Sequence, residues 1–93
     1  MAIEVKVTAN FAKLIGGERS TRAEGGTIGE VLDDLVARFP RLGGKFRNDD
    51  GSLHKFVNVY VNDDDVRYLD GLDTKVSDDD EIAILPAVAG GTA

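Results

Sequence analysis

The chain has 93 residues with no cysteine, one histidine and 17 acidic against 11 basic side chains, a net charge of −6. That length gives one small domain and excludes a two-domain enzyme; the missing cysteines exclude disulfides, thiolate zinc sites, cysteine nucleophiles and iron–sulfur ligation, and one histidine leaves no His-based metal site. The acidic balance repels phosphate backbones, no stretch approaches the roughly 18 apolar residues of a membrane span, and Met1-Ala2-Ile3-Glu4-Val5-Lys6 lacks signal-peptide character, so a cytoplasmic domain with no nucleic-acid or membrane partner is expected.

Residues 3–9 alternate, with Ile3, Val5 and Val7 on one face and Glu4, Lys6 and Thr8 on the other, the period-2 pattern of a half-buried first strand. Asn10 to Gly17 carries Phe11, Leu14 and Ile15 ahead of a Gly16-Gly17 turn, and Arg19 to Ala23 returns as an antiparallel partner, which predicts a hairpin with a wide loop. Thr27-Ile28-Gly29-Glu30 has capping-box spacing, in which the threonine hydroxyl accepts from the Glu30 amide and the Glu30 carboxylate reaches back to the cap amide. Ile28, Val31, Leu32, Leu35, Val36 and Phe39 then form one apolar stripe of a helix over about residues 28–39, which Phe39-Pro40 ends. Leu42, Phe46 and Leu53 punctuate a glycine- and aspartate-rich connection, read as irregular structure pinned by apolar anchors. Phe56 to Asn62 alternates again, with Val57, Val59 and Val61 opposite Phe56, Asn58 and Tyr60. Asn62-Asp63-Asp64 turns into a short strand near Val66-Arg67-Tyr68, and Asp78-Asp79-Asp80 leads into a last strand from Glu81 to Val88.

This order predicts an α+β roll: a mixed sheet of four to five strands with one main helix packed on one face. The end of the chain needs a separate account, because from Ile82 to Ala93 it carries no charge and it finishes Pro86-Ala87-Val88-Ala89-Gly90-Gly91-Thr92-Ala93. One reading is a small-residue terminus without a role. The other uses the glycines: without Cβ atoms they can thread a channel too narrow for side chains, and Ala87 to Gly91 extended spans about 17 Å, enough to enter a partner's active site while the domain stays outside.

The final strand, Pro86, the Gly90-Gly91 pair and the whole element order resemble the ubiquitin-like β-grasp sulfur carriers of the ThiS and MoaD group, over essentially the entire chain. Within that group the stretch from Leu53 through His54-Lys55-Phe56-Val57-Asn58-Val59-Tyr60-Val61-Asn62 to Arg67, the Gly71-Leu72-Asp73-Thr74 turn and the ending Ile84-Leu85-Pro86-Ala87-Val88-Ala89-Gly90-Gly91 are most similar to the CysO branch. The resemblance implies a β-grasp domain over residues 1–88 and a flexible tail over 89–93. It also implies a chemistry. An E1-like adenylyltransferase of the MoeB/ThiF type, using ATP and magnesium, adenylates the Gly91 carboxyl group; sulfide sulfur displaces AMP; and the resulting thiocarboxylate donates its sulfur, with Val88, Ala89 and Gly90 as the inserted tail. In CysO-like systems the acceptor is an aminoacrylate on a pyridoxal-phosphate-dependent cysteine synthase, and a JAMM-type zinc metallopeptidase releases cysteine. The pyridoxal phosphate (PLP) and the zinc belong to those partners, so the carrier is expected to be a protein co-substrate with no cofactor of its own and not an enzyme.

Thr92 and Ala93 depart from the simplest pattern of the group. They tie the Gly91 carboxyl group into a peptide bond, so removal of both residues by cleavage between Gly91 and Thr92 is expected, by a metallopeptidase of the deubiquitinase type. Asp79, where the group's turn often has glycine, is a smaller departure that aspartate tolerates. Two alternatives share the same fold: a ubiquitin-like modifier joined to lysines through Gly91, and the small subunit of a molybdopterin synthase.

No side chain receives a catalytic or metal-binding assignment. His54 alone makes neither a metal site nor an acid–base pair. Asp63-Asp64-Asp65 and Asp78-Asp79-Asp80-Glu81 lack the ligand pattern of an EF-hand, and Gly16-Gly17 and Gly25-Gly26 lack a phosphate-loop context, so all four are read as turns. Phe56 and Tyr60 fall on the sheet face away from the helix, and with Pro86 they are expected to dock onto the activating enzyme and the sulfur acceptor; burial under the long loop is the other reading of the two aromatics.

Overall fold

The computed structural model of the protein describes residues 2–55 and 57–86. Five strands, β1 (Ala2–Val7), β2 (Ser20–Glu24), β3 (Val57–Val61), β4 (Asp64–Asp65) and β5 (Glu81–Pro86), form one sheet in the spatial order β2-β1-β5-β3-β4. β1 and β5 run parallel at the centre, β2 and β3 flank them antiparallel, and β4 lies at the edge beyond β3. This is the α+β roll with a mixed sheet that the element order predicts. Among the described residues no helix is long and apolar enough to cross a membrane.

The main helix, α2 (Ile28–Arg38), buries Ile28, Val31, Leu32 and Leu35 in one core with Ile3 and Val5 of β1, Val59 of β3 and Ile82 and Ile84 of β5. Val36 and Phe39, the last members of the predicted stripe, are only partly buried. Thr27 Oγ1 accepts from the Glu30 amide at 3.2 Å, as the capping spacing requires. The Glu30 carboxylate, however, accepts from the Gly26 amide at 2.7 Å, one residue before the cap. Residues 26–28 are also tied to the segment before β5 through Ile28 N to Thr74 O (2.9 Å) and Val76 N to Gly26 O (3.1 Å).

Three predicted boundaries change. The wide loop after β1 is wound into a short helix, α1 (Ala9–Ala12), and a 3-10 turn (Lys13–Ile15) that Gly16 and Gly17 end with φ of 87° and 93°, the left-handed region open to glycine. Its buried residues Phe11, Ala12 and Ile15 span too few positions for helical periodicity to register. The strand predicted near Val66-Arg67-Tyr68 is a 3-10 turn, because the Asp65 carboxylate accepts from the Arg67 amide at 2.8 Å and closes the chain on itself; the strand proper is only Asp64–Asp65. It follows a two-residue hairpin turn in which Asn62 (φ 50°) and Asp63 (φ 75°) are both left-handed, the geometry that matches strand twist. The connection after α2 is more ordered than irregular: it holds a 3-10 turn (Pro40–Leu42) and an Arg47–Leu53 bridge, with Leu42 and Phe46 buried and the Phe46 ring centroid 5.8 Å from that of Phe11. The predicted last strand is described as far as Pro86; Ala87 and Val88 lie outside the described residues.

Side chains of α2 also cover the free edge of the sheet. The Glu24 amide of β2 donates to Asp34 Oδ2 at 3.0 Å, Arg38 donates to the Arg22 carbonyl, and Asp34 and Arg38 pair with each other at 3.2 Å. An edge so occupied offers fewer free groups to another strand. On the far side of the helix Arg47 pins the loop, donating from Nη2 to the Gly29 carbonyl at 2.9 Å and pairing with Asp33 at 3.0 Å. A Cβ at Gly29 would lie 2.9 Å from that Nη2 and 3.2 Å from the Leu72 carbonyl. Gly29→Ala is therefore expected to lower stability by about 1–3 kcal/mol through overpacking, read as a lower urea midpoint at unchanged slope. An unchanged midpoint would show that this contact yields freely.

Candidate functional site

The site begins where β5 ends. Alternation is clear along this strand: Ile82 and Ile84 are fully buried in the core shared with α2, while Ala83 and Leu85 face the other side of the sheet. Pro86, the last described residue of the central strand, pairs in register with Val57 and has no amide to donate to the ladder. A strand held between β1 and β3 makes a rigid root for the tail.

The helix-free face around this root combines apolar and charged groups. Tyr60 stands opposite Ala83, Asn58 opposite Leu85, and Lys6 of β1 beside Ala83. Leu85 is 37% exposed, one of the largest apolar exposures among the described residues. Lys6 pairs with Glu81 at 2.7 Å, and the hydrogen bond and charge of that carboxylate hold the ammonium above its ordinary pKa.

Arg67 fixes the neighbouring strand. Its guanidinium donates to Asn58 Oδ1 (2.8 Å), the Val57 carbonyl (2.7 Å) and the His54 carbonyl (2.9 Å). Val57 and Asn58 are the register partners of Pro86 and Leu85, so these bonds hold the backbone against which the tail root is paired. His54 takes part through its main chain as well, its amide donating to the Phe46 carbonyl at 2.7 Å and its carbonyl accepting from the Val57 amide at 3.0 Å.

The acidic runs are turns only in part: Asp63 and Asp78-Asp79 lie in turns, whereas Asp64–Asp65 form β4 and Glu81 opens β5. Asp80 accepts from the Ser77 amide and from Asn62 Nδ2, each at 2.8 Å, while Asn62 Oδ1 accepts from the Glu81 amide at 2.9 Å, which binds the β3–β4 turn to the start of β5. The Ser77 amide first, and then Asn62, hold the Asp80 carboxyl below the ordinary aspartate range. A depressed folded pKa contributes stability that is present above the unfolded value and lost as pH falls through the folded one. Asp80→Asn should accordingly flatten the acid limb of a stability–pH curve while lowering stability at neutral pH. An acid limb of unchanged slope would assign the sensitivity to other carboxylates.

Of the residues predicted to dock, Tyr60 is half-buried on the helix-free face, whereas Pro86 has the strand parity of Ile82 and Ile84 and so lies on the opposite side. The two do not form one patch. Phe56, Val88, Ala89, Gly90, Gly91 and Thr92 lie outside the described residues. Leu85 is a surface residue that the sequence reading passed over, although its odd position beside buried Ile82 and Ile84 is the signal that exposes it. Arg67 had no such signal, since its acceptors lie 9, 10 and 13 residues earlier, at no spacing that a strand or helix period marks. A pocket of about 200 Å³ between α2 and residues 42–47 is lined by Leu32, Val36, Leu42, Phe46 and the Asp33–Arg47 pair, below the roughly 300–1,000 Å³ of small-molecule sites. Among the described residues no three His, Cys, Asp or Glu side chains gather as metal ligands.

Comparison with known proteins gives concordant matches. A family model described as the ThiS family matches residues 5–91. The sulfur carrier protein CysO of Mycobacterium tuberculosis is 42% identical over 93 residues, spanning 98% of this chain and 100% of that protein. A chain of the crystal structure of the Amycolatopsis orientalis BexX/CysO complex matches with a TM-score of 0.88 at 42% identity, covering 97% of this chain and 100% of that one. Small archaeal modifier protein 3 of Haloferax volcanii is 33% identical over 93 residues, spanning 98% of this chain and 100% of that protein. Thr92 and Ala93 fall beyond the family match, which stops at Gly91.

Proposed function

The chain belongs to the ThiS family, and from that premise we propose that it is a sulfur carrier whose working end is the carboxyl group of Gly91, freed by removal of Thr92 and Ala93. The observation that carries this reading is a family match that ends at the second glycine of Gly90-Gly91, five residues beyond Pro86 of the central strand. A carboxylate is a poor electrophile. An E1-like adenylyltransferase joins a Gly91 carboxylate oxygen to the α-phosphorus of ATP and releases pyrophosphate. Sulfide then attacks the acyl carbon of the mixed anhydride, AMP leaves, and a thiocarboxylate remains on the main chain. The proposal takes a pyridoxal-phosphate-dependent cysteine synthase as acceptor and a JAMM-type zinc metallopeptidase as the processing enzyme, in the cytoplasm, and what supports it is the likeness to a sulfur carrier protein CysO.

In this scheme the protein's own residues bind and position and do not catalyse. The buried Ile82 and Ile84 anchor β5, Arg67 holds the strand beside it, and Tyr60 and Leu85 offer apolar surface for docking, with Phe56 as a further proposed contact, as Val88, Ala89 and Gly90 enter the partner. A second reading, a modifier joined to lysines through Gly91, is favoured by the likeness to small archaeal modifier protein 3. Both share the adenylate and diverge at the nucleophile, sulfide or amine. Incubating protein ending at Gly91 with its activating enzyme, ATP and sulfide, then labelling with a thiocarboxylate-selective sulfonyl azide, separates them. Label that depends on ATP and sulfide is expected; absence of label together with Lys-Gly-Gly branched peptides would favour the modifier.

A further inference from the structure

Two large apolar side chains stand out on the described surface besides Leu85. Tyr68, the last residue of the 3-10 turn that follows β4, is 87% exposed, and Leu69, which caps that turn, is 46% exposed. Single exposed apolar residues need no explanation, but two neighbours held outward on an ordered turn do. The turn is fixed on both sides: Asp65 caps the Arg67 amide, the Arg67 guanidinium makes its three bonds to His54, Val57 and Asn58, and the Leu69 amide donates to the Val66 carbonyl at 3.0 Å. Buried Val66 pins the turn from beneath. The pair is thus presented in a preorganised form, which reduces the ordering cost of binding.

Position and charge specify what such a knuckle fits. Arg67 links the turn to Val57 and Asn58, the partners of Pro86 and Leu85, so this corner of the domain is tied to the strand that leads into the tail. Exposed Asp63, Asp64, Asp70 and Asp73 surround the pair in sequence. A second copy of this chain, also at net −6, would bring like charge against that rim and is disfavoured.

We propose that Tyr68 and Leu69 form a docking point for the activating enzyme, inserting into an apolar cleft ringed by arginine and lysine on that enzyme. The inference rests on the carrier reading and adds a contact to it. Adenylation is the step shared by sulfur carriage and protein modification, so the contact serves either fate of Gly91.

The test measures ATP–pyrophosphate exchange by the activating enzyme with protein ending at Gly91 as the varied substrate. Tyr68→Ser with Leu69→Ser is expected to raise KM about tenfold or more at unchanged kcat, the effect of losing one interface anchor. Asp70→Lys with Asp73→Lys, which leaves the apolar pair intact, should raise KM and flatten its rise with salt, because screening then has less attraction to remove. Both variants change exposed side chains, and thermal unfolding followed by circular dichroism confirms that each still folds. If the wild-type protein is adenylated and the Tyr68/Leu69 variant has the same KM, the docking point is overturned and the carrier reading stands. If wild-type protein ending at Gly91 is not adenylated at all, both are overturned.

Discussion

Protein ending at Gly91 is expected to support ATP–pyrophosphate exchange by its activating enzyme, and protein still carrying Thr92 and Ala93 is expected to support none. The reason is the chemistry of the nucleophile. In the longer form the Gly91 carbonyl is an amide and offers no carboxylate oxygen to the α-phosphorus of ATP. Its terminal carboxylate sits two residues further on, a displacement of about 7 Å in an extended chain. Misplacement of a reacting atom by even about 1 Å can cost on the order of a hundredfold in rate. The side chain of Thr92 adds a second obstacle, since it replaces the bare backbone of the two glycines in any channel that admits them. Exchange by the longer protein at the rate of the trimmed one would remove the need for processing.

The second large effect is structural. Ile84 is fully buried in the middle of β5, with Val7 of β1 and Val59 of β3 as its register partners. Ile84→Ala should cost about 2–5 kcal/mol, transfer and cavity terms together. That is a large share of the roughly 5–15 kcal/mol available to a domain of this kind, and it should lower Tm by more than about 8 °C. The same change loosens the strand from which the tail departs, so adenylation should become temperature-sensitive well below the melting point of the wild-type protein. A loss under about 1 kcal/mol would mean that the core refills the space left behind.

The sequence disclosed the parts of the fold that repeat over several residues. The strands at Ile3–Val7 and Val57–Val61 declared themselves by alternation, and α2 by a cap, a stripe and a stopping proline within a few residues of its observed ends. What escaped was short or cooperative. α1 is one turn long, too brief for a 3.6-residue period, and the 3-10 turn at Val66–Tyr68 depends on an Asp65 side-chain bond that competes with strand geometry among residues of fair strand propensity. The site divides the same way. The tail, whose residues lie outside those described, stands as an expectation from a local pattern, a diglycine ending an uncharged run, whereas Tyr60 was legible because alternation placed it on the helix-free face. The roles of Arg67 and Asn62 could not be read, since each joins segments that approach only when the sheet assembles. Pro86 and Tyr60 are expected to dock onto the same partners, and strand parity places them on opposite sides of the sheet.

Intact mass spectrometry of the protein isolated from the cells that make it tests the central claim most directly. The account predicts a chain ending at Gly91, with a fraction heavier by the exchange of one carboxyl oxygen for sulfur. That fraction should disappear when the activating enzyme is deleted. A chain that always retains Thr92 and Ala93 and never gains sulfur would contradict it.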